Sequence, residues 1–398
     1  MTRRLGLALS GGGVRAAAFH LGVLSKLHEL GLLEKVDVIS TVSGGSITGA
    51  YYLLAGHDFS AFKDRMIRKL QQSIEIRLLL NWRTPIAAIW PGYSTTDVKA
   101  AVYDSIYFDG KTLSALALKP QIIINATNLV TGKNFKMSQK FIGDWKIGYD
   151  GSPDVMPISF AVAASTAVPG IFQPIRLATK TYFRKPKIAA PLLALCDGGV
   201  YDNQGTHGLT SDRLEEKNQR CTHIIVSDAS APFDSEVAPP LRRVSVLRRQ
   251  SDVMMARIKN IQFQQLLYGE HASTIKTAYF SIDWSCDGIL ERLAMNGERC
   301  ATRGLTEDVA TIARKDASAH DRDAAIGSAL RKLAMTSLNS HLDVGTAREV
   351  SLIGTRLRAL SEREVSLLVQ HGASLCELQV RLYLPDLVAL PVEGAADA

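Results

Sequence analysis

The sequence predicts an α/β fold: a mainly parallel central sheet flanked by helices, continued by a helical C-terminal region. Three observations predict it. The chain opens in the order strand, helix, strand, helix; each of those two strands runs into small, glycine-rich residues; and short β-branched segments recur past residue 280 with helical stretches between some of them.

Leu5 to Leu9 is a short apolar run that ends at Ser10 and three glycines. Val14 to Leu30 follows, with Phe19, Leu21, Leu24, Leu27 and Leu30 close to helical period, and Gly31 stands where a left-handed C-terminal cap is wanted. Val36 to Val42 is β-branched and reads as the second strand, and Ser46 to Leu54 as the second helix. Gln121 to Asn125, Thr222 to Ser227 and Thr277 to Ile282 read as further strands.

Phe62, Met66, Leu70, Ile74 and Leu78 stand four apart, with Lys63, Arg65, Arg68, Lys69 and Arg77 elsewhere on the wheel, which predicts one amphipathic helix over 62–80. Its apolar stripe is expected to face the core. The alternative is a lid or membrane-contact helix, favoured by Leu79, Leu80, Trp82, Ile86 and Trp90 close behind it. The stretch Ala231 to Pro240, ending in two prolines ahead of the pairs Arg242-Arg243 and Arg248-Arg249, reads as a loop. Residues 1–283 form the main unit on this reading. Residues 284–398, with helices over Ala329 to Leu338 and Glu362 to His371, complete it as a packed helical region.

With 398 residues, 46% of them hydrophobic and 21% charged, the chain is composed like an ordinary globular protein. The formal charge of +7 favours anionic surfaces. No nucleic-acid module or basic arm accompanies it, so a lipid surface is expected rather than a nucleic acid. The five cysteines are scattered without C-x-x-C spacing, which argues against a disulfide framework or a zinc site and suits a cytoplasmic setting. The opening run reaches glycines too soon for a signal peptide, and no stretch approaches the roughly 20 apolar residues of a membrane span. A protein that is soluble or peripheral to a membrane is expected. No metal or other cofactor is implied, and no acidic loop has the spacing of a calcium site.

Two loops carry the chemistry. Ser10-Gly-Gly-Gly-Val-Arg15 places glycines at a helix N-terminus, where exposed N–H groups hold negatively charged oxygen. Thr41-Val-Ser-Gly-Gly45 joins the second strand to the second helix, the setting of a tight elbow that exposes a serine. A serine hydroxyl needs a base to take its proton and donors aimed at the oxyanion that forms on attack. Gly11, Gly12 and Gly13 are the candidate donors for Ser43. Leu195-Cys-Asp-Gly-Gly-Val200 sets Asp197 on a turn from which its carboxylate can reach a hydroxyl, although Asp-Gly is by itself an everyday turn dipeptide.

Together these segments resemble the patatin family of phospholipases and lipid acyl hydrolases. The glycine loop with its Arg15, the elbow around Ser43 and the Asp197-Gly198-Gly199 turn occur in the family's order, and Ala163 to Phe172 and Ile122 to Gly132 are similar to further family segments. The resemblance covers about the first 205 residues. It implies that residues 1–283 are a patatin-like catalytic domain related to the α/β-hydrolases, acting on lipid or phospholipid esters without a histidine: Asp197 activates Ser43, an acyl-enzyme forms, and water hydrolyses it. Gly11, Gly12 and Gly13 would form the oxyanion hole, with Arg15 supporting the loop. Ser10, Ala16 and Thr41 depart from the family pattern, standing where Asp, Gly and Gly are common. Thr41 is expected to matter most, because a branched side chain must fit where backbones approach closely.

Three other readings compete. Gly11-x-Gly13-x-x-Ala16 formally matches a dinucleotide fingerprint, but the second strand ends in Thr41-Val42-Ser43 and offers no carboxylate to a ribose. A Ser-His-Asp esterase would draw on His207, shortly after Asp197. A binding or regulatory protein could keep the fold with weak or no catalysis. Ser46 could cap the second helix, while His20 is expected to pack or face solvent.

Overall fold

The structure, a computed structural model, describes residues 3–388 except 57, 90–91, 211–220, 233–242, 270–273, 294–300, 302–303, 315, 337–340 and 356. The opening follows the expected order, with strand β1 at Leu5–Leu9, helix α1 at Gly13–Glu29, β2 at Val36–Val42 and α2 at Gly44–Leu54. Gly31, at φ 62°, follows α1 in the left-handed conformation that a β-carbon would disfavour, and its N–H closes on His28 O at 2.9 Å.

Strands β3 (Gln121–Asn128), β9 (His223–Asp228) and β10 (Lys276–Ser281) join them in a parallel half of the sheet, in the order β10-β9-β1-β2-β3. Every residue of β1, β3 and β9 is buried, as expected of parallel strands covered on both faces. Beyond β3 the sheet turns antiparallel through β4 (Lys133–Met137), β5 (Ile142–Asp144) and β6 (Gly148–Gly151), with β7 (Ile175–Ala178) and β8 (Leu192–Asp197) also antiparallel. The sheet is therefore mixed, with its parallel strands toward β10.

The register of β3 decides where the loops meet. β2 pairs with β3 only as far as Val42 opposite Asn125. From Ala126 onward the same edge of β3 is taken by β8, whose last residue Asp197 pairs with Ala126, while β4 holds the other edge. The two strands thus end facing one another. Ser43 and Asp197 are brought together at this change of direction, a switch point of the kind that leaves a crevice in an open sheet.

The expected single helix over 62–80 is two helices, α3 (Phe59–Leu70) and α4 (Ile74–Leu79), followed by α5 (Arg83–Ile89) and α6 (Thr95–Tyr103). Ser73 restarts the chain as an N-cap, its side chain accepting from Ile76 N. Phe62, Met66, Leu70 and Ile74 are all buried, so the stripe faces the core. Trp90 and nearly all of the expected loop Ala231 to Pro240, with Arg242 after it, lie outside the described residues; the helix Arg243–Tyr268 follows.

In the C-terminal region a helix spans Ala319–Lys332, ten residues ahead of the expected start. The last helix runs over Glu362–Tyr383 and is more than twice as long as expected. It crosses α1 at backbone contact: a β-carbon on Gly22 would stand 1.9 Å from Val369 O, and one on Gly372 2.2 Å from Phe19 O. Leu368, Leu375 and Val380 enter the same apolar core as Phe19 and Leu24. No helix of the described residues is long and apolar enough to cross a membrane.

Candidate active site

Ser43 sits at φ 48° and ψ −116°, a backbone conformation that costs an ordinary side chain about 1–3 kcal/mol and is held by its surroundings. Its N–H donates to Ser165 Oγ at 2.9 Å. That hydroxyl in turn donates to Asn125 O at 2.6 Å and lies 2.9 Å from Ser46 Oγ, which donates to Thr41 Oγ1 at 2.9 Å. Ser46 is therefore buried in the elbow's support and not at its tip. The glycines after Ser43 are required by contact: a β-carbon on Gly44 would meet Gly13 O at 2.2 Å, and one on Gly45 would meet Leu9 O at 2.3 Å.

The glycine loop lies directly across from this elbow. Gly12 and Gly13 take positive φ angles of 141° and 65° as the chain enters α1. Ser10 Oγ accepts from Ala229 N at 2.7 Å, and His20 braces the loop from α1, its Nε2 3.0 Å from Ser10 O and its Nδ1 2.9 Å from Ser227 Oγ. Burial lowers the His20 pKa to about 4, so it serves as a neutral packing residue. Gly11 differs from expectation, because its N–H is spent on Asn203 O at 3.0 Å. Gly12 and Gly13 remain, with no hydrogen-bond acceptor for either N–H among the described residues.

Arg15 is buried, and its guanidinium donates to Ser351 O at 2.7 Å, Ile353 O at 3.0 Å and Ala229 O at 2.9 Å. It ties the first turn of α1 to β9's end and to the C-terminal region. Burial lowers its pKa to about 10, opposed by the charges of Asp228 and Asp283, and it stays cationic at neutral pH.

Asp197 accepts from Gly199 N–H at 2.7 Å through Oδ1, while its own N–H donates to Ala167 O at 2.9 Å. Oδ2 is buried and accepts no well-formed hydrogen bond. Burial raises the Asp197 pKa to about 6, against the lowering effects of the Gly199 N–H, the Ser43 side chain and the charge of Lys99. A carboxylate so placed is ionised at neutral pH and basic enough to attract a proton.

Lys99 supplies that charge from full burial on α6. Its Nζ donates to Thr166 O at 2.8 Å and lies 3.8 Å from the Phe172 ring centroid, and burial lowers its pKa to about 7. Neither Lys99 nor Ser165 stands out in sequence. Their partners are distant in the chain, and only the segment Ala163 to Phe172 hinted at the region.

Thr41 fits without displacing the elbow. A β-carbon on Gly49 of α2 would lie 2.7 Å from Thr41 Cγ2, so the absent side chain at 49 is the space the Thr41 methyl occupies. Its hydroxyl donates to Ile123 O at 3.3 Å and accepts from Ser46.

A cavity of about 600 Å³ opens over this assembly, lined by Ser43, Asp197, Gly12 and Gly13 and by apolar groups including Ile47, Leu78, Val168, Ile171, Phe172 and Met255. It can take an apolar chain with its reacting carbonyl among the loop amides. His207 does not line it. That residue donates its backbone N–H to Asp202 Oδ2 at 2.7 Å, and burial lowers its pKa to about 4. Among the described residues no three His, Cys, Asp or Glu side chains gather into a metal-binding group.

A family model described as patatin-like phospholipase matches residues 7–210, just over half of the 398 residues. Among solved structures, human GIVD cytosolic phospholipase A2 in complex with methyl gamma-linolenyl fluorophosphonate is similar at 15% identity and a TM-score of 0.48, over 96% of this chain and 59% of that one. Another structure of that human protein is similar at 17% identity and a TM-score of 0.44, over 64% of this chain and 45% of its own. VipD from Legionella pneumophila is similar at 13% identity and a TM-score of 0.32, over 95% of this chain and 91% of that one. This chain accordingly spans 45–59% of the length of those human chains.

Proposed function

Since the chain belongs to the patatin-like phospholipase family, we propose that it is a lipid acyl hydrolase that cleaves carboxylic esters of phospholipids or related lipids with Ser43 and Asp197. Asp197 takes the Ser43 hydroxyl proton as Oγ attacks the ester carbonyl. The tetrahedral oxyanion accepts hydrogen bonds from Gly12 and Gly13 N–H. Collapse breaks the bond to the leaving alkoxide, which receives the proton from Asp197, and leaves an acyl-Ser43 ester. Water then attacks that ester, giving its proton to Asp197, and a second collapse releases the fatty acid as Asp197 returns the proton to the departing Ser43 Oγ, restoring both groups.

One observation carries this reading: β2 and β8 end facing one another on a single edge of β3, so that Ser43 and a buried Asp197 share one cavity with two glycine N–H groups that have no acceptor among the described residues. Arg15 acts here as a support for the loop. Unpaired, buried Cys196, Cys221, Cys286 and Cys376 suit a reducing cytoplasmic location. The test is turnover of mixed phospholipid vesicles and of a short-chain p-nitrophenyl ester by the wild type and by Ser43→Ala and Asp197→Asn. Loss in both variants is expected, and turnover that survives either substitution overturns the dyad.

A further inference from the structure

Once the stripe Phe62, Met66, Leu70 and Ile74 is buried, the amphipathic segment leaves a different apolar face uncovered. Leu79 is 74% exposed, Leu80 81%, Trp82 70% and Ile89 84%, with Ile76 and Ile86 also exposed. Apolar surface of this density on a short run marks a contact site, because isolated apolar side chains are ordinary but a continuous group is not.

The group has a position and a charge. Leu78, Leu79 and Thr84 line the cavity that holds Ser43, so α4 and α5 stand at its mouth. Ile171, also exposed, lines the same cavity, as does Met255 of the helix Arg243–Tyr268, whose neighbour Met254 is exposed. Basic residues lie on α4 and α5 themselves and on α3 before them. Arg65, Arg68 and Arg77 all lie within electrostatic reach of Lys69, and the Arg83 guanidinium stacks over the Trp82 ring, its carbon 5.3 Å from the centroid. Acidic side chains are fewer: Glu75 and Asp252 line the cavity together with Asp197, and Asp64 lies on α3. Apolar tips, a tryptophan and surrounding arginines are the composition that seats a protein surface among anionic lipid headgroups.

We propose that the ridge from Ile76 to Ile89 docks the protein on an anionic bilayer, with Leu80, Trp82 and Ile89 entering the headgroup layer and the cavity mouth held against the lipid. This rests on the reading of the cavity as a lipid ester site, and it assigns the contact to a ridge outside the stripe that periodicity singles out. A lipid leaving the bilayer would then pass between Leu79 and Ile171 to reach Ser43 without crossing water.

The test is sedimentation of the full chain with vesicles of equal parts phosphatidylcholine and phosphatidylglycerol, comparing wild type with Leu80→Glu/Trp82→Glu and with Arg77→Glu/Arg83→Glu. Neither pair lines the cavity, and an unchanged thermal unfolding midpoint reports that each variant is folded. The expected result is binding weakened on the order of a hundredfold in the first pair, from loss of two apolar insertions, and a salt-sensitive loss in the second. Leu129→Glu/Val130→Glu, exposed at the turn between β3 and β4 and absent from the cavity lining, should bind like wild type. Wild type that fails to sediment, a Leu80→Glu/Trp82→Glu protein that sediments undiminished, or a solution dimer that this pair dissociates overturns the proposal, the last by placing a second copy on the ridge. Vesicle binding that follows the expected pattern in a protein hydrolysing no ester would leave the docking surface standing and defeat the hydrolase reading.

Discussion

Val42 and Asp197 end their strands on neighbouring positions along one edge of β3, Val42 opposite Asn125 and Asp197 opposite Ala126. The residue after Val42 is Ser43, so strand pairing, rather than any long loop, sets the approach of the serine to the carboxylate. Gly198 sits in the seam between them, where a β-carbon would meet Asn125 O at 2.4 Å and Val42 Cγ1 at 3.1 Å.

Gly198→Ala therefore forces that seam open. The expected cost is about 1–3 kcal/mol, read as a fall in the urea midpoint. A larger fractional loss of turnover than of stability is expected, because the displaced element carries Asp197. Stability and turnover both unchanged would contradict the close approach.

The Thr41 and Gly49 pair predicts a coupling. Gly49→Ala adds a methyl 2.7 Å from Thr41 Cγ2 and should destabilise by about 1–3 kcal/mol. Thr41→Ser removes the Thr41 methyl while keeping the hydroxyl, so the double variant should recover much of the loss in thermal unfolding. Additive effects would place the strain elsewhere.

On the proposed mechanism Asp197 must be ionised to accept the serine proton, so kcat/KM should fall as pH drops through about 6. Lys99 lowers that pKa while it is charged. Lys99→Met should move the acid limb to higher pH, and Lys99→Gln should move it in the same direction, since each removes the charge. A profile in which both variants lose activity evenly at every pH would make Lys99 a packing residue alone.

Arg15 satisfies Ser351 O, Ile353 O and Ala229 O from a buried position. Arg15→Met leaves those carbonyls without their donor and should destabilise by about 2–4 kcal/mol in urea unfolding. Unchanged stability would show that the guanidinium does not bind the glycine-loop end of α1 to the C-terminal region.

The parts of the site legible in sequence are those set by local chain chemistry. The glycine loop and the Ser43 elbow each stand out within a few residues, the Asp197 turn stands out only in their company, and β2 falls where β-branched residues predict it. Support from a distance is silent in sequence. Asn203 takes the Gly11 N–H, Ser165 takes the Ser43 N–H, and Lys99 reaches Thr166, each through folding. β4 to β8 are short and pair across the sheet, so their patterns are weak. The last helix was expected to stop at His371, before Gly372. That glycine instead permits the crossing with α1, so a residue that commonly ends helices here serves packing.

The central claim, that Ser43 is the nucleophile, is tested most directly by labelling the folded chain with an alkyl fluorophosphonate and mapping the modified peptide. Label on Ser43 alone, lost in Ser43→Ala and slowed by Asp197→Asn, is the predicted result. Label on Ser46 or another serine, or undiminished labelling of Ser43→Ala, would contradict the account.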